Sequence, residues 1–102
     1  MTITTTYLDR LQTLYATGYQ NEFVEVAMQK IVARQVAQDE ADLKKVQAIL
    51  SDFERQYAYS SIEFKAQFER GEVADTADFM EWYAHCQMQT RILQRLIILQ
   101  DE

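Results

Sequence analysis

Apolar residues recur along the chain at intervals of three and four, the spacing that places side chains on one face of an α-helix. In the first such segment, from about Thr6 to Thr17, the apolar positions are Tyr7, Leu8, Leu11, Leu14 and Tyr15. Gly18 follows directly, and glycine adopts the left-handed conformation that ends many helices without steric cost. The pattern therefore predicts a first helix that stops at Gly18.

The second predicted helix is long, beginning near Asn21 and extending to Tyr57. Asn21 is a favourable N-cap residue, and Glu22 and Glu25 place negative charge in the first turn, where it opposes the positive end of the helix dipole. The rhythm is interrupted at Asp39, so the sequence is compatible with a continuous solvated helix or with a small bend. The apolar positions of the segment are Phe23, Val24, Ala27, Met28 and Ile31, then Val36, Leu43, Val46, Leu50, Phe53 and Tyr57.

A short third helix is predicted from the serines that follow. Ser60 and Glu63 have the spacing of a capping box, in which each side chain satisfies a free backbone N–H group of the other residue. Gly71 is placed to end this helix. Its apolar contacts come from Ile62, Phe64 and Phe68.

The fourth predicted helix begins with Asp75 or Thr76 as its N-cap and extends to Leu99. Its apolar positions keep the helical spacing for nearly seven turns. They are Phe79, Trp82, Tyr83, Cys86, Ile92, Leu93, Leu96 and Leu99.

The chain contains no proline and only two glycines, so the residues that usually form β-turns and hairpins are nearly missing. We therefore predict an all-α fold in a single helical domain, residues 1–102. The simplest arrangement is an elongated antiparallel pair of the long second and fourth helices, with two short helices packed against it. A second helix of roughly 36 residues would span about 54 Å, longer than a compact domain of this size is wide.

The apolar rhythm of the second helix also bears on assembly. We expect a homodimer in which the long second and fourth helices pair between chains. Packing of the same helices within one chain predicts the same pattern, and the repeat is too short to identify a coiled coil. The molecular mass in solution distinguishes these two interpretations.

The formal net charge of −6 and the isoelectric point near 4.7 oppose attraction to nucleic-acid phosphates. We therefore expect no nucleic-acid partner. The longest apolar run, from Leu96 to Leu99, is too short for a membrane span, so we also expect no membrane partner. Complementary charge would favour a basic protein. Cys86 is the only cysteine, which excludes an intramolecular disulfide and fits a cytoplasmic location.

Conventional catalytic arrangements are missing from the sequence. His85 and Cys86 are adjacent, so on a helix their side chains point about 100° apart and do not readily chelate one ion. No EF-hand, zinc-binding or glycine-rich phosphate motif is present. We therefore expect no enzyme activity, no cofactor and no metal. A small thiol- or metal-dependent enzyme is the remaining alternative, and unchanged cellular function after substitution of both residues would exclude it.

Five acidic residues recur at intervals of three around the start of the fourth helix. They are Glu69, Glu72, Asp75, Asp78 and Glu81, here called the acidic edge. A solvated loop followed by acids of a helix N-terminus explains this pattern, and so does a protein-binding surface. Tryptophan and tyrosine dominate binding hot spots, although core packing is the alternative for both. The partner-contact residues that we predict are Glu72, Asp75, Asp78, Glu81, Trp82 and Tyr83.

The C-terminal half also carries a family resemblance. It rests on Phe53-Glu54-x2-Tyr57, Ser60-Ser61-x-Glu63-Phe64, Phe68-x2-Gly71-Glu72 and Asp75-x2-Asp78-Phe79-x-Glu81-Trp82. These motifs resemble a family of small, mostly uncharacterised helical bacterial and archaeal proteins that are frequent in cyanobacteria. In that family glycine or methionine usually follows the aromatic residue at 57, where this chain has Ala58. The resemblance implies genes placed beside a small toxin and an antitoxin-like role.

Two functional hypotheses follow. The first is a non-enzymatic interaction module that neutralises a small basic toxin through the acidic edge and its aromatic residues. The second is a structural homodimer with no toxin partner.

Overall fold

A computed structural model describes the backbone of residues 3–100 and the side chains of residues 6–100. It contains four helices: α1 (Ile3–Ala16), α2 (Glu22–Tyr57), α3 (Ser61–Glu69) and α4 (Ala77–Gln100). The described residues contain no strand, which confirms the all-α prediction. The chain divides into an N-terminal unit, Met1–Val32, and a C-terminal unit, Ala33–Glu102. The single domain predicted for residues 1–102 includes Met1, Thr2, Asp101 and Glu102, which lie outside the described residues.

In the C-terminal unit, α2 and α4 pack together and run antiparallel. Residues late in α2 contact residues early in α4, as the rings of Phe53 and Trp82 show, with centroids 5.5 Å apart. An earlier residue of α2, Asp39, contacts Arg95 near the end of α4. The buried core of this unit consists of Val46, Leu50, Phe53, Phe64, Trp82, Cys86, Ile92 and Leu96. The predicted pairing of these helices therefore occurs within one chain, and dimerisation stays a prediction.

The helix α2 continues through Asp39. Of the two alternatives left open by the sequence, the structure has the continuous helix, and Gln38 and Glu40 are exposed as in a solvated segment. Asp39 departs from this pattern, because it is only 1% exposed. Gln35 donates a hydrogen bond to Asp39 Oδ1 at 3.0 Å, and Arg95 Nη2 donates to the same oxygen at 3.0 Å. The interruption of the apolar rhythm thus marks a buried carboxylate, whose charge is compensated by hydrogen bonds from Gln35 and from the half-exposed Arg95.

Three helices begin at the N-cap residues that their sequences indicate. Backbone N–H groups donate to the side chains of Asn21 (from Val24, 3.2 Å), Ser60 (from Glu63, 3.2 Å) and Thr76 (from Phe79, 3.1 Å). Thr76 is therefore the cap of α4. At α3, the carboxylate of Glu54 accepts a further bond from Ser61 N at 2.8 Å. The acid that caps α3 thus comes from α2, and of the predicted capping box only the Ser60 half is formed in the described part of the chain.

Two turns in the C-terminal unit require left-handed backbone. Gly71, with φ of +72°, ends α3 as predicted, and the backbone N–H of Glu72 bonds to the carbonyl of Gln67 at 2.9 Å. Ala58, directly after α2, has φ of +60°. An L-residue with a Cβ is disfavoured there by roughly 1–2 kcal/mol. Glycine at this position would therefore remove the strain.

In the N-terminal unit, α1 and the first part of α2 are joined by a turn at Gly18, whose φ is +92°. The hydroxyl of Tyr15 donates to the carbonyl of Asn21 at 3.2 Å and ties the end of α1 to the start of α2. Between the two helices lies a shallow depression of about 340 Å³, lined by Leu8, Leu11, Gln12, Tyr15 and Met28. None of the side chains described in residues 6–32 is fully buried.

Candidate protein-binding site

Trp82 lies at the centre of an aromatic cluster that holds α2, α3 and α4 together. Its ring stacks on Phe64 of α3, with centroids 3.9 Å apart and planes inclined by 2°, and on Phe53 of α2. The residue has no exposed surface. Its prediction as a partner contact is therefore corrected: in this fold Trp82 belongs to the core, because aromatic side chains of this size contribute large buried area.

The indole of Trp82 also makes a specific polar contact. Its Nε1–H donates to the hydroxyl of Ser61 at 2.9 Å. A buried indole N–H needs such an acceptor, since leaving it unpaired loses a hydrogen bond formed with water in the unfolded chain. Ser61 is the first residue of α3. This bond therefore positions the start of α3 against α4.

Tyr83 is half-buried beside the cluster. Its ring stacks on Phe68 with centroids 4.4 Å apart, and its hydroxyl donates to Glu69 Oε2 at 2.9 Å. The hydrogen bond to Glu69 raises the pKa of Tyr83, because the carboxylate favours the protonated phenol. The carboxylate of Glu69, a member of the acidic edge, is therefore hydrogen-bonded to a tyrosine of α4.

Two further acids of the edge have partners in the structure. Asp78 accepts a hydrogen bond from the hydroxyl of Tyr57, and this bond raises the pKa of Tyr57. Glu72 accepts two bonds from Arg70, from Nε at 2.9 Å and from Nη2 at 3.0 Å. This paired geometry holds the pKa of Glu72 below its usual range. Both carboxylates are therefore used in local structure, although Glu72 stays exposed at the surface.

The remaining two acids, Asp75 and Glu81, are exposed. Within the described part of the chain, neither carboxylate forms a hydrogen bond or an ion pair. Asp75 directly precedes the N-cap of α4, and Met80 is the fourth residue of the helix. Met80 is 57% exposed. Two exposed, unpaired acids and an exposed apolar side chain therefore occur together at the start of α4.

Met80 begins a row of exposed residues on α4 that the sequence analysis missed. Met80, Ala84 and Met88 are spaced by four, so they follow one another along one side of the helix. We call these three residues the methionine row. The sequence contained a signal for this row. Met80 and Met88 lie outside the apolar stripe of α4 that contains Trp82 and Cys86, and a methionine outside the core-facing stripe must face solvent.

His85 and Cys86 make separate contacts in the structure. His85 Nδ1 lies 2.8 Å from the backbone carbonyl of Glu81 and donates to it. Cys86 is a buried free cysteine, and burial raises the pKa of its thiol, which disfavours the reactive thiolate. In the described residues, no group of three or more His, Cys, Asp and Glu side chains is placed to hold a metal ion.

Comparison of the chain with protein-family models, with curated proteins and with solved structures gave no match in any of the three. The family resemblance carried by the C-terminal half therefore stays a prediction. Among the described helices, none combines the length and the apolar character that crossing a membrane requires.

Proposed function

We propose that this chain is a non-enzymatic protein-binding module that takes a basic partner at the start of α4, in the manner of an antitoxin that neutralises a small basic toxin. One observation carries the proposal: the start of α4 exposes the apolar side chain of Met80 together with the unpaired carboxylates of Asp75 and Glu81. An apolar centre with a polar rim is the usual composition of a protein interface.

The methionine row supplies the apolar part of this surface. Methionine is enriched at interfaces, and its unbranched, polarisable side chain adapts to partners of different shape. Met80 and Met88 are 57% and 40% exposed. Since the aromatic residues beside them are packed in the core, the methionine row takes the place that Trp82 had in the predicted contact set. Tyr83 contributes only the exposed part of its half-buried side chain.

The charge of the C-terminal unit supports a basic partner. By sequence, residues 33–102 carry eight Lys and Arg against thirteen Asp and Glu, a formal charge of −5. Such a field speeds encounter with a positively charged protein and disfavours acidic ones. A toxin whose substrate site receives phosphates would present a basic surface of this kind, and binding there would block the site sterically.

The experiment is co-expression with the product of the neighbouring reading frame. The proposal predicts a stable complex and relief of that product's toxicity. Glu81→Lys should weaken the complex about tenfold or more, because it places positive charge against a basic surface. Glu40→Lys is the matched control, since Glu40 is also an exposed acid on a helix of the C-terminal unit but lies on α2.

The outcomes separate the proposal from its alternative. Absence of a complex together with unrelieved toxicity would remove the antitoxin-like role and leave the structural homodimer as the remaining hypothesis. Equal weakening by Glu81→Lys and Glu40→Lys would show that overall charge, and not the start of α4, determines binding.

A further inference from the structure

The N-terminal unit exposes apolar side chains that its own two helices do not cover. Phe23 is 80% exposed and Ile31 is 68% exposed, and none of the side chains described in residues 6–32 is fully buried. Units below about 40 residues rarely fold without a disulfide, a metal or association with another chain. The only cysteine of the protein is Cys86, in the other unit, so a disulfide within this unit is excluded.

The orientation of the two helices follows from the depression between them. Leu8, Leu11 and Tyr15 of α1 and Met28 of α2 line it, so these residues mark the sides on which the two helices face each other. Leu8 lies well before the turn at Gly18 and Met28 well after it, so the chain reverses direction between the two helices. We call this pair of helical segments the hairpin.

Helical periodicity then shows which residues share a face of the hairpin. Residues on a helix are separated by about 100°. Relative to the depression, Tyr7 and Leu14 lie roughly 100° around α1. Relative to Met28, the residues Phe23, Ala27 and Ile31 lie roughly 140°, 100° and 60° around α2 in the same rotational sense. Because the two segments run in opposite directions, the same rotational sense places these side chains on one face. This hairpin face consists of Tyr7, Leu11, Leu14, Phe23, Ala27 and Ile31.

The opposite face of the hairpin is polar. The same construction places Asp9 of α1 and Glu25 and Gln29 of α2 on it. The most exposed apolar residues of α2, Phe23 and Ile31, therefore lie on the hairpin face, whereas the less exposed Val26 and Val32 lie outside it. An amphipathic two-helix unit of this kind needs a covering partner for its apolar side.

The exposed area is sufficient for a stable interface. At about 200 Å² for a large side chain, the apolar residues of the hairpin face expose on the order of 500 Å². A standard interface covers about 800 Å² on each partner, of which somewhat more than half is apolar. The hairpin face alone therefore supplies the apolar share of one side of such an interface.

The charge of this unit favours a second copy of the chain as the occupant. By sequence, residues 1–32 carry two basic and three acidic residues, a formal charge of −1, whereas residues 33–102 carry −5. Association through the N-terminal unit therefore brings two nearly neutral surfaces together. Association through the acidic C-terminal units of two copies would be opposed by charge repulsion. None of the six residues of the face is charged. The guanidinium of Arg10 lies over the ring of Tyr7, 5.6 Å from its centroid, at the edge of the face.

We propose that the hairpin face binds the same face of a second copy of this chain, so that two hairpins form a four-helix bundle around a shared apolar core. The contact is isologous: each residue of the face on one copy meets the same face on the other. This surface is distinct from the start of α4, so the inference does not depend on the proposed function. It also differs from the dimer expected from the sequence, in which the long second and fourth helices pair between chains.

Light scattering on the full-length protein at about 10–100 µM tests the proposal. Wild-type protein should have twice the 12.0 kDa mass of one chain. The double variant Phe23→Glu/Ile31→Glu should have the mass of one chain, because it places four carboxylates in the shared core. Phe23→Leu, which keeps the position apolar, should retain the doubled mass. Ile62→Glu is the matched control, since Ile62 is 85% exposed but lies on α3.

Each outcome has a definite meaning. Doubled mass in the wild type, Phe23→Leu and Ile62→Glu proteins with single mass in the double variant supports the hairpin interface. A wild-type monomer at 100 µM overturns it, whether or not another protein binds the hairpin. A double variant that keeps the doubled mass also overturns it. To exclude general unfolding, Trp82 fluorescence should stay that of a buried indole in the double variant, because the aromatic cluster lies in the other unit.

Discussion

Arg95 holds both carboxylate oxygens of Asp39, donating from Nη2 to Oδ1 at 3.0 Å and from Nε to Oδ2 at 3.2 Å across 56 positions of sequence. The guanidinium is half-exposed and the carboxylate is buried. Such two-point pairing is among the stronger hydrogen-bond geometries in proteins, and it fixes orientation as well as distance. It therefore sets the register in which α4 returns along α2.

Substitution of Asp39 should make this pair visible as a dependence of stability on pH. Hydrogen bonds from Arg95 lower the pKa of Asp39 below its usual value, against the opposing effect of burial. A lowered pKa stabilises the folded state above the unfolded value of about 3.9, and this stabilisation is lost as pH falls through the folded value. Asp39→Asn should reduce the melting temperature at pH 7 by at least about 4 °C.

The control for this substitution is Glu40→Gln, which neutralises an exposed acid next to the pair. It should change the melting temperature by less than about 2 °C at every pH. The difference between wild type and Asp39→Asn should shrink below about pH 4. A difference that is the same at pH 3 and pH 7 would show that the ionised pair is not its origin.

The sequence predicted the helix ends well because caps depend on neighbouring residues. Asn21, Ser60, Gly71 and Thr76 each act within three or four positions of the backbone groups that they satisfy. Burial of Asp39 was not predictable in the same way, since it depends on which side chain of a distant helix lies opposite. An acidic residue within an apolar stripe is either exposed to solvent or paired with a cationic side chain. Only the packing of the helices distinguishes these two cases.

The candidate site was predicted less well than the fold. Asp75 and Glu81 are exposed. Glu69, Glu72 and Asp78 have partners that come from packing or from the local turn. Trp82 lies in the core, as its position on the apolar stripe of α4 also allowed. Residue type alone does not decide between a core and a hot-spot aromatic, because both roles use the same apolar ring.

Replacement of Ala58 by glycine should stabilise the protein. Ala58 has a φ of +60°, which a residue with a Cβ adopts at a cost of roughly 1–2 kcal/mol. Part of the gain is offset by the greater freedom of glycine in the unfolded chain, so we expect a net stabilisation of about 0.5–1 kcal/mol. The measurement is the midpoint of urea unfolding at unchanged slope.

The matched control is Ala48→Gly, at an exposed position inside α2. The same chemical change should there destabilise the protein by about 1 kcal/mol, because glycine is a poor helix former. Opposite signs at the two positions identify left-handed backbone as the cause. Destabilisation by Ala58→Gly would contradict the turn described after α2.

Removal of the Ser61 hydroxyl should leave the buried indole N–H of Trp82 without its acceptor. Ser61→Ala should therefore destabilise the protein by about 1–3 kcal/mol. Ser51→Ala, at an exposed position on α2, should change stability by less than about 0.5 kcal/mol. In a Trp82→Phe background, Ser61→Ala should have a much smaller effect, since no donor is left to satisfy. An equal effect in both backgrounds would contradict a specific hydrogen bond.

The thiol of Cys86 should react only slowly in the folded protein. It is buried, and burial raises its pKa, so both access and thiolate concentration are reduced at pH 8. We expect its reaction with a coloured disulfide reagent to be at least about 100-fold slower than after unfolding in guanidinium chloride. Ser51→Cys adds an exposed thiol on α2, and one thiol of that variant should react rapidly while the second stays slow. Fast reaction of Cys86 in the wild type would contradict its place in the core beside Trp82.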